Sequence, residues 1–228
     1  MSIDLETGLA EAVGPFCTVE NMGGLAYDPS SDRLYGVSAH TASLYVIDVT
    51  TGQAQLVGSC QAADVVMQGA AFDPMTHTLY ASASTQETLY SVDMGTGHAS
   101  VIGNTGRRIS GLAVHPLTGE LYGSVASQWG PERGLYRINR LTGETTLIGT
   151  DTGTGYNGLS FSPSGTLYGV RNDTEALYII DTADAAPTLV GYLGLPSINP
   201  LGLAIIPEPA TLSLLALGLV GLMTRRKR

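Results

Sequence analysis

"GLAYDPSSDRLYGVSAHTASLYVIDVTTGQAQLVG", residues 24–58, holds in one unit the pattern that repeats along the chain. It runs in a fixed order. A small apolar lead "GLAYD" is followed by an Asp-Pro turn, "LYG", a polar loop, a second Leu-Tyr pair, a Thr-Gly turn and a closing "QLVG". The same order returns at residues 69–103, 111–149 and 158–191, and a fifth lead, "GLAII", begins at Gly202. The leading glycines are 45, 42, 47 and 44 residues apart. In every unit the second Leu-Tyr leucine (Leu44, Leu89, Leu135, Leu177) stands 14 residues before the closing glycine. Four short β-prone segments in a repeat of this length describe a propeller blade. The expected fold class is therefore all-β, a β-propeller of about five four-stranded blades plus a C-terminal hydrophobic helix.

Turn chemistry falls where such a blade needs it. Pro29, Pro74, Pro116 and Pro163 follow the leads, and Gly52, Gly97 and Gly143 end the second hairpin turns. Side chains alternate across a strand, so the Leu and Tyr of each pair should fill opposite sides of a sheet sandwiched between neighbours. The tyrosines then read as core, not as an aromatic ligand box. Asp48, Asp93 and Asp181, with Asn139 in the third unit, recur before the turns and read as turn caps. His115 replaces the turn Asp of the first two units and reads as structural.

The ends complete each other. "SIDLETGLAEAVG" at residues 2–14 aligns with "VIDVTTGQAQLVG" at residues 46–58, so the chain starts inside a unit, at its third strand. With units near 22–59, 67–104, 109–150 and 156–194, a closing blade would combine 198–206 with 2–16, giving a repeat domain over 1–206. That blade lacks an "LYG" strand. Either the ring closes on three strands, or the natural start lies upstream of Met1.

Charge excludes one class of partner. The chain carries 20 acidic residues, all before Ala210, and only seven basic residues precede that point, which leaves −13 on residues 1–209. Such a body repels polyanions, so no nucleic-acid partner is expected.

The remaining four basic residues are the last four positions, Arg225, Arg226, Lys227 and Arg228. They follow an uncharged run, Ala210–Met223, and that run follows Pro207, Glu208 and Pro209. Fourteen residues are short of the ~20 that span a bilayer. The order Pro-Glu-Pro, apolar run and terminal arginine cluster resembles the PEP-CTERM sorting signal of exopolysaccharide-producing Gram-negative bacteria. The resemblance covers 207–228. It implies that Pro207, Glu208 and Pro209 are the recognition motif, Ala210–Met223 a transient transmembrane helix, and Arg225–Arg228 a cytoplasmic stop. It implies an exosortase, a membrane cysteine transpeptidase, as processing partner. It also implies a route through the cell envelope to the surface or the extracellular matrix of a biofilm, with exopolysaccharide as a candidate ligand. Proteins of that family carry an N-terminal signal peptide, whereas Met1–Gly14 is acidic without an apolar core. A missing leader and a half unit at the same end both point to a start upstream.

A ligand face is the remaining expectation. Loops between second and third strands share one face of a propeller. The longest, residues 124–134, holds the only tryptophan, Trp129, with Glu132 and Arg133. Arg171 should lie on the same face. Trp stacking beside Arg and Glu suits a sugar ring. No catalytic residue, metal site or cofactor is expected: His40, His77, His98 and His115 fall at different repeat positions, and "GTGTG" lacks a strand–helix context. The main reading is a non-enzymatic exported scaffold or binding protein. The alternative is a propeller hydrolase, lactone- or sugar-acting, with its site on the Trp129 face. Cys17 and Cys60 follow "VG" in two units, either as a disulfide or as two separate thiols.

Overall fold

A computed structural model describes residues 1–13, 21–61, 65–126, 133–150, 153, 155–195 and 202–207. Each full repeat forms one antiparallel sheet. The first contains β3 (Met22–Asp28), β4 (Arg33–Ser38), β5 (Ser43–Ile47) and β6 (Ala54–Ser59). The second contains β7 (Met67–Asp73), β8 (Thr78–Ala83), β9 (Thr88–Val92) and β10 (Ala99–Asn104). The third contains β11 (Ile109–Val114), β12 (Leu121–Val125), β13 (Gly134–Ile138) and β14 (Thr145–Gly149). The fourth contains β15 (Gly158–Phe161), β16 (Leu167–Arg171), β17 (Ala176–Ile180) and β18 (Pro187–Tyr192).

The propeller has four blades, not the five expected. At the fifth position stand the two-stranded pair β1 (Ser2–Ile3) with β2 (Ala10–Glu11) and the segment 202–207, which joins no sheet. The physical reason is the missing "LYG": without a second strand, the lead has no hydrogen-bonding partner to link it to the outer hairpin. The expected C-terminal helix, Ala210–Met223, lies outside the described residues. Among those described there is no helix, and so none long and apolar enough to cross a membrane.

The constant 14-residue spacing is a strand pairing. Leu44, Leu89, Leu135 and Leu177 lie directly across from Gly58, Gly103, Gly149 and Gly191, and all four ladders slip at the next residue. Gly is needed opposite because the next sector's turn backbone occupies the space of a side chain. A Cβ on Gly58 would lie 2.0 Å from Thr96 O, on Gly103 1.9 Å from Thr142 O, and on Gly149 2.0 Å from Asp184 O. The series continues into the incomplete sector, with Gly191 at 1.9 Å from Thr7 O. It then returns to the first blade, where a Cβ on Gly52 would lie 2.7 Å from Val13 O. The rim of the ring is thus closed.

The axis is closed by a second set of contacts. The first strands of successive blades pack together, β3 on β7, β7 on β11 and β11 on β15. A Cβ on Gly24 would lie 2.2 Å from Ala70 N, on Gly111 3.3 Å from Leu159 N, on Gly158 2.7 Å from Leu203 N, and on Gly202 3.0 Å from Leu25 N. Where these glycines meet, the axis leaves no room for water. It widens toward Pro29, Pro74, Pro116, Pro163 and Pro207 into an open, mainly apolar cavity of about 180 Å³.

The core sits between blades. Tyr35 and Leu44 pack on Met67 and Phe72; Tyr80 and Leu89 on Ile109 and Leu112; Tyr122 and Leu135 on Leu159 and Phe161. Val170 and Leu177 pack on Ala10 and Leu203 of the incomplete sector. The leucines of the Leu-Tyr pairs are all buried, and the tyrosines are buried or half-buried as core residues.

Candidate functional site

The β16–β17 and β12–β13 connections bring two of the four expected ligand residues together. Arg171 ends β16 and is 7% exposed. Its guanidinium carbon lies 4.6 Å from the Tyr156 ring centre and 4.5 Å from that of Tyr178, in the corner formed by these two rings, whose centres are 6.1 Å apart and whose planes meet at 70°. Nη2 donates to Tyr156 Oη at 3.0 Å. Arg133, just before β13, donates from Nη1 to Gly153 O at 2.9 Å. Gly153 also backs onto Arg171, whose Nη1 would lie 2.3 Å from a Cβ there. Arg133 and Arg171 therefore meet across one glycine. Trp129 and Glu132 lie outside the described residues.

Beside Arg171, the Asn172 side chain keeps both amide atoms from solvent with no hydrogen-bond partner among the described residues. An amide in that state offers a donor and an acceptor at once. The hydrogen bond to Tyr156 and the contacts with both rings hold Arg171 in one orientation, as a buried cation within an acidic body. Sequence reasoning missed Tyr156, because it stands outside the Leu-Tyr pattern, two residues before the fourth unit's lead.

The opposite face consists of turns. Asp48 accepts from Thr50 N, Thr51 N and Thr50 Oγ1, and Asp93 from Gly95 N, Thr96 N and Thr96 Oγ1. These hydrogen bonds hold both carboxyls below their ordinary values, led by Thr50 and Thr96 respectively. Asn139 and Asp181 cap Leu141 N and Ala183 N in the same way. Asp73 is fully buried and takes Arg140 Nη1 at 2.8 Å. His115 Nδ1 accepts from Leu117 N and Thr118 N, and the ring lies 4.9 Å from Phe161. Cys60 is a buried free thiol that burial pushes up to about 11, and Cys17 lies outside the described residues. Among the described residues no three His, Cys, Asp or Glu side chains gather as a metal site.

Among solved structures the fold is similar to a protein in a nidogen/laminin complex, with 18% identity over 82% of this chain and 69% of that one, TM-score 0.61. It is similar to a Bacteroides thetaiotaomicron protein of unknown function, with 17% identity over 81% of this chain and 54% of that one, TM-score 0.61. A Xanthomonas campestris gluconolactonase is also similar, with 17% identity over 82% of this chain and 68% of that one, TM-score 0.58. The chain thus spans between about half and seven-tenths of these structures, and identities this low establish the fold alone. No curated protein matches it in sequence. Residues 206–228 match the PEP-CTERM protein-sorting motif, a C-terminal signal for the envelope and surface that implies processing by an exosortase. Residues 11–191 match the model described as "Repeat of unknown function (DUF6923)", and over that span, most of its length, the chain belongs to this family.

Proposed function

We propose that this chain is an exported β-propeller scaffold or binding protein. In this reading Ala210–Met223 holds it transiently in the membrane with Arg225, Arg226, Lys227 and Arg228 on the cytoplasmic side. An exosortase then delivers it to the cell surface or the exopolysaccharide matrix. The observation that carries the reading is the sorting motif at 206–228, which begins on the last segment of the propeller. The Arg133–Arg171 face, with Trp129 and Glu132, is the surface offered to a matrix glycan.

Fractionation of an exosortase-bearing host tests both parts. Wild-type chain is expected in the envelope or medium in shortened form. A Glu208→Ala/Pro209→Ala variant stays at full length in the membrane fraction. Identical distribution of the two sinks the sorting reading. Arg133→Ala is sorted normally and washes out of the matrix at lower salt than wild type; equal retention removes the glycan face.

A further inference from the structure

The sorting motif and the propeller overlap. In each of the five leads, proline follows the leading glycine by five residues: Gly24 to Pro29, Gly69 to Pro74, Gly111 to Pro116, Gly158 to Pro163 and Gly202 to Pro207. The fifth proline is also the first residue of the Pro-Glu-Pro motif. Its lead is built into the ring as the others are. Gly158 and Gly202 fit against Leu203 N and Leu25 N in the same way that Gly24 fits against Ala70 N. Leu203 is 7% exposed and shares a core with Val170, Leu177 and Ala10. Ile205 N donates to Ser160 Oγ at 3.0 Å, and Ala204, Ile205 and Pro207 line the channel cavity. Pro207 itself is exposed at the channel's open mouth, three residues before Ala210.

We infer that Gly202–Pro207 belongs to both the ring and the sorting signal, so that processing breaks a peptide bond after Pro207 and leaves the inner segment on the mature protein. This rests on the sorting reading above. A cut upstream of Pro207 would free a strip of chain whose Leu203 belongs to the core between the fourth blade and the outer hairpin. A cut downstream leaves all of these contacts in place. In the step itself the carbonyl carbon of the cut bond passes to a nucleophile, water or an amine of the envelope. The proton lost by that nucleophile goes to the departing nitrogen of the tail. Because two residues separate the ring from the uncharged run, the processing enzyme meets the motif at the proline mouth of the channel, among the Asp-Pro and Thr-Gly turns.

Two measurements on the full chain test this. Mass spectrometry of the shortened form released by an exosortase-bearing host is expected to place its last residue at Pro207 or later. A terminus before Pro207 overturns the inference. Separately, melting of the full chain in detergent is expected to show Leu203→Asp lowering Tm by roughly 5 °C or more, with Pro209→Ala at the wild-type value. Equal Tm values for the two variants overturn the shared segment. If Leu203→Asp does not fold, Leu203→Ala gives a graded version of the same comparison. A wild-type chain that is never shortened overturns the sorting reading and the placing of the cut with it, while the melts still decide whether the segment is shared.

Discussion

Four sectors of this ring are four-stranded sheets, and the fifth is a lead segment with a two-stranded outer hairpin. Their contacts to neighbours are nevertheless alike. At the rim, Thr7 O fills the space beside Gly191 as Thr142 O fills the space beside Gly103. At the axis, Leu203 N sits against Gly158 as Leu159 N sits against Gly111. The comparison teaches that ring closure is written at two radii, by glycines that admit a neighbour's backbone, and does not require a complete sheet at every position. A propeller sector can lose its second strand and keep both seams.

The largest expected effect breaks the comparison at the rim. Gly103→Ala places a methyl 1.9 Å from Thr142 O, in a hairpin held by two long strands. Overpacking of this kind should cost about 3 kcal/mol by urea unfolding. Gly191→Ala makes the same clash with Thr7 O, but β1 and β2 pair over only two residues each, so that hairpin can back away. Its cost should be about 1 kcal/mol, near the low end for an overpacked site. Equal costs would mean that the incomplete sector is as rigid as a blade.

A second expected effect separates the sectors by pH. Asp28 is 1% exposed in the first blade, whereas the matching position in the incomplete sector is Ile206. Burial alone would push the Asp28 carboxyl up, but hydrogen bonds from Ser31 and Ser30 outweigh it and hold it below its ordinary value. A carboxyl lowered in the folded state adds stability that is fully present above its unfolded value, roughly 3.9, and lost as pH falls through the folded one. Denaturation midpoints should therefore drop below about pH 4, and Asp28→Asn should flatten that drop while lowering stability at neutral pH. Asp4, in the outer hairpin, is also held low, first by the Thr7 amide and then by Glu6, but it is exposed. Asp4→Asn should flatten the acid limb less than Asp28→Asn does. The reverse order would place the acid-sensitive element in the hairpin.

Much of the ring was legible because its constraints are local and repeated. The Leu-to-Gly spacing is one hairpin and its bulge, and the Asp and Pro residues are turns whose chemistry acts within three residues. The first turn of the chain could be read too, since "SIDLETG" carries the same Asp-to-Gly turn as "VIDVTTG", and Gly8 N and Gly52 N donate to Asp4 O and Asp48 O alike. The blade count could not, because it depends on whether a lead without "LYG" finds a hydrogen-bonding partner, and no residue within the lead specifies that. Glycine at the rim was visible as a pattern, yet its cause lies some 40 residues away in the next turn. The setting of Arg171 was half visible. Arg171 and Arg133 could be grouped by their places in the repeat, but Tyr156 and Tyr178 come from opposite flanks of β16, and only the folded sheet makes them neighbours.

The smallest expected effect concerns the turn where the third blade departs from the first two. His115 takes the place of Asp28 and Asp73, and its Nδ1 accepts from Leu117 N and Thr118 N as Asp73 Oδ1 accepts from Met75 N and Thr76 N. An imidazole and a carboxylate thus fill one role with different reach. The histidine adds a face packed 4.9 Å from Phe161 and a ring nitrogen that would lie 2.9 Å from a Cβ on Gly165 of the fourth blade. His115→Asp keeps the turn acceptor and gives up that contact between blades, so it should cost about 1 kcal/mol or less by urea unfolding. His115→Ala, which removes acceptor and contact together and leaves two turn amides without their side-chain partner, should cost about 2 kcal/mol. If both variants cost the same, the packing on Phe161 outweighs the turn cap, and the histidine serves the seam between blades three and four more than its own turn.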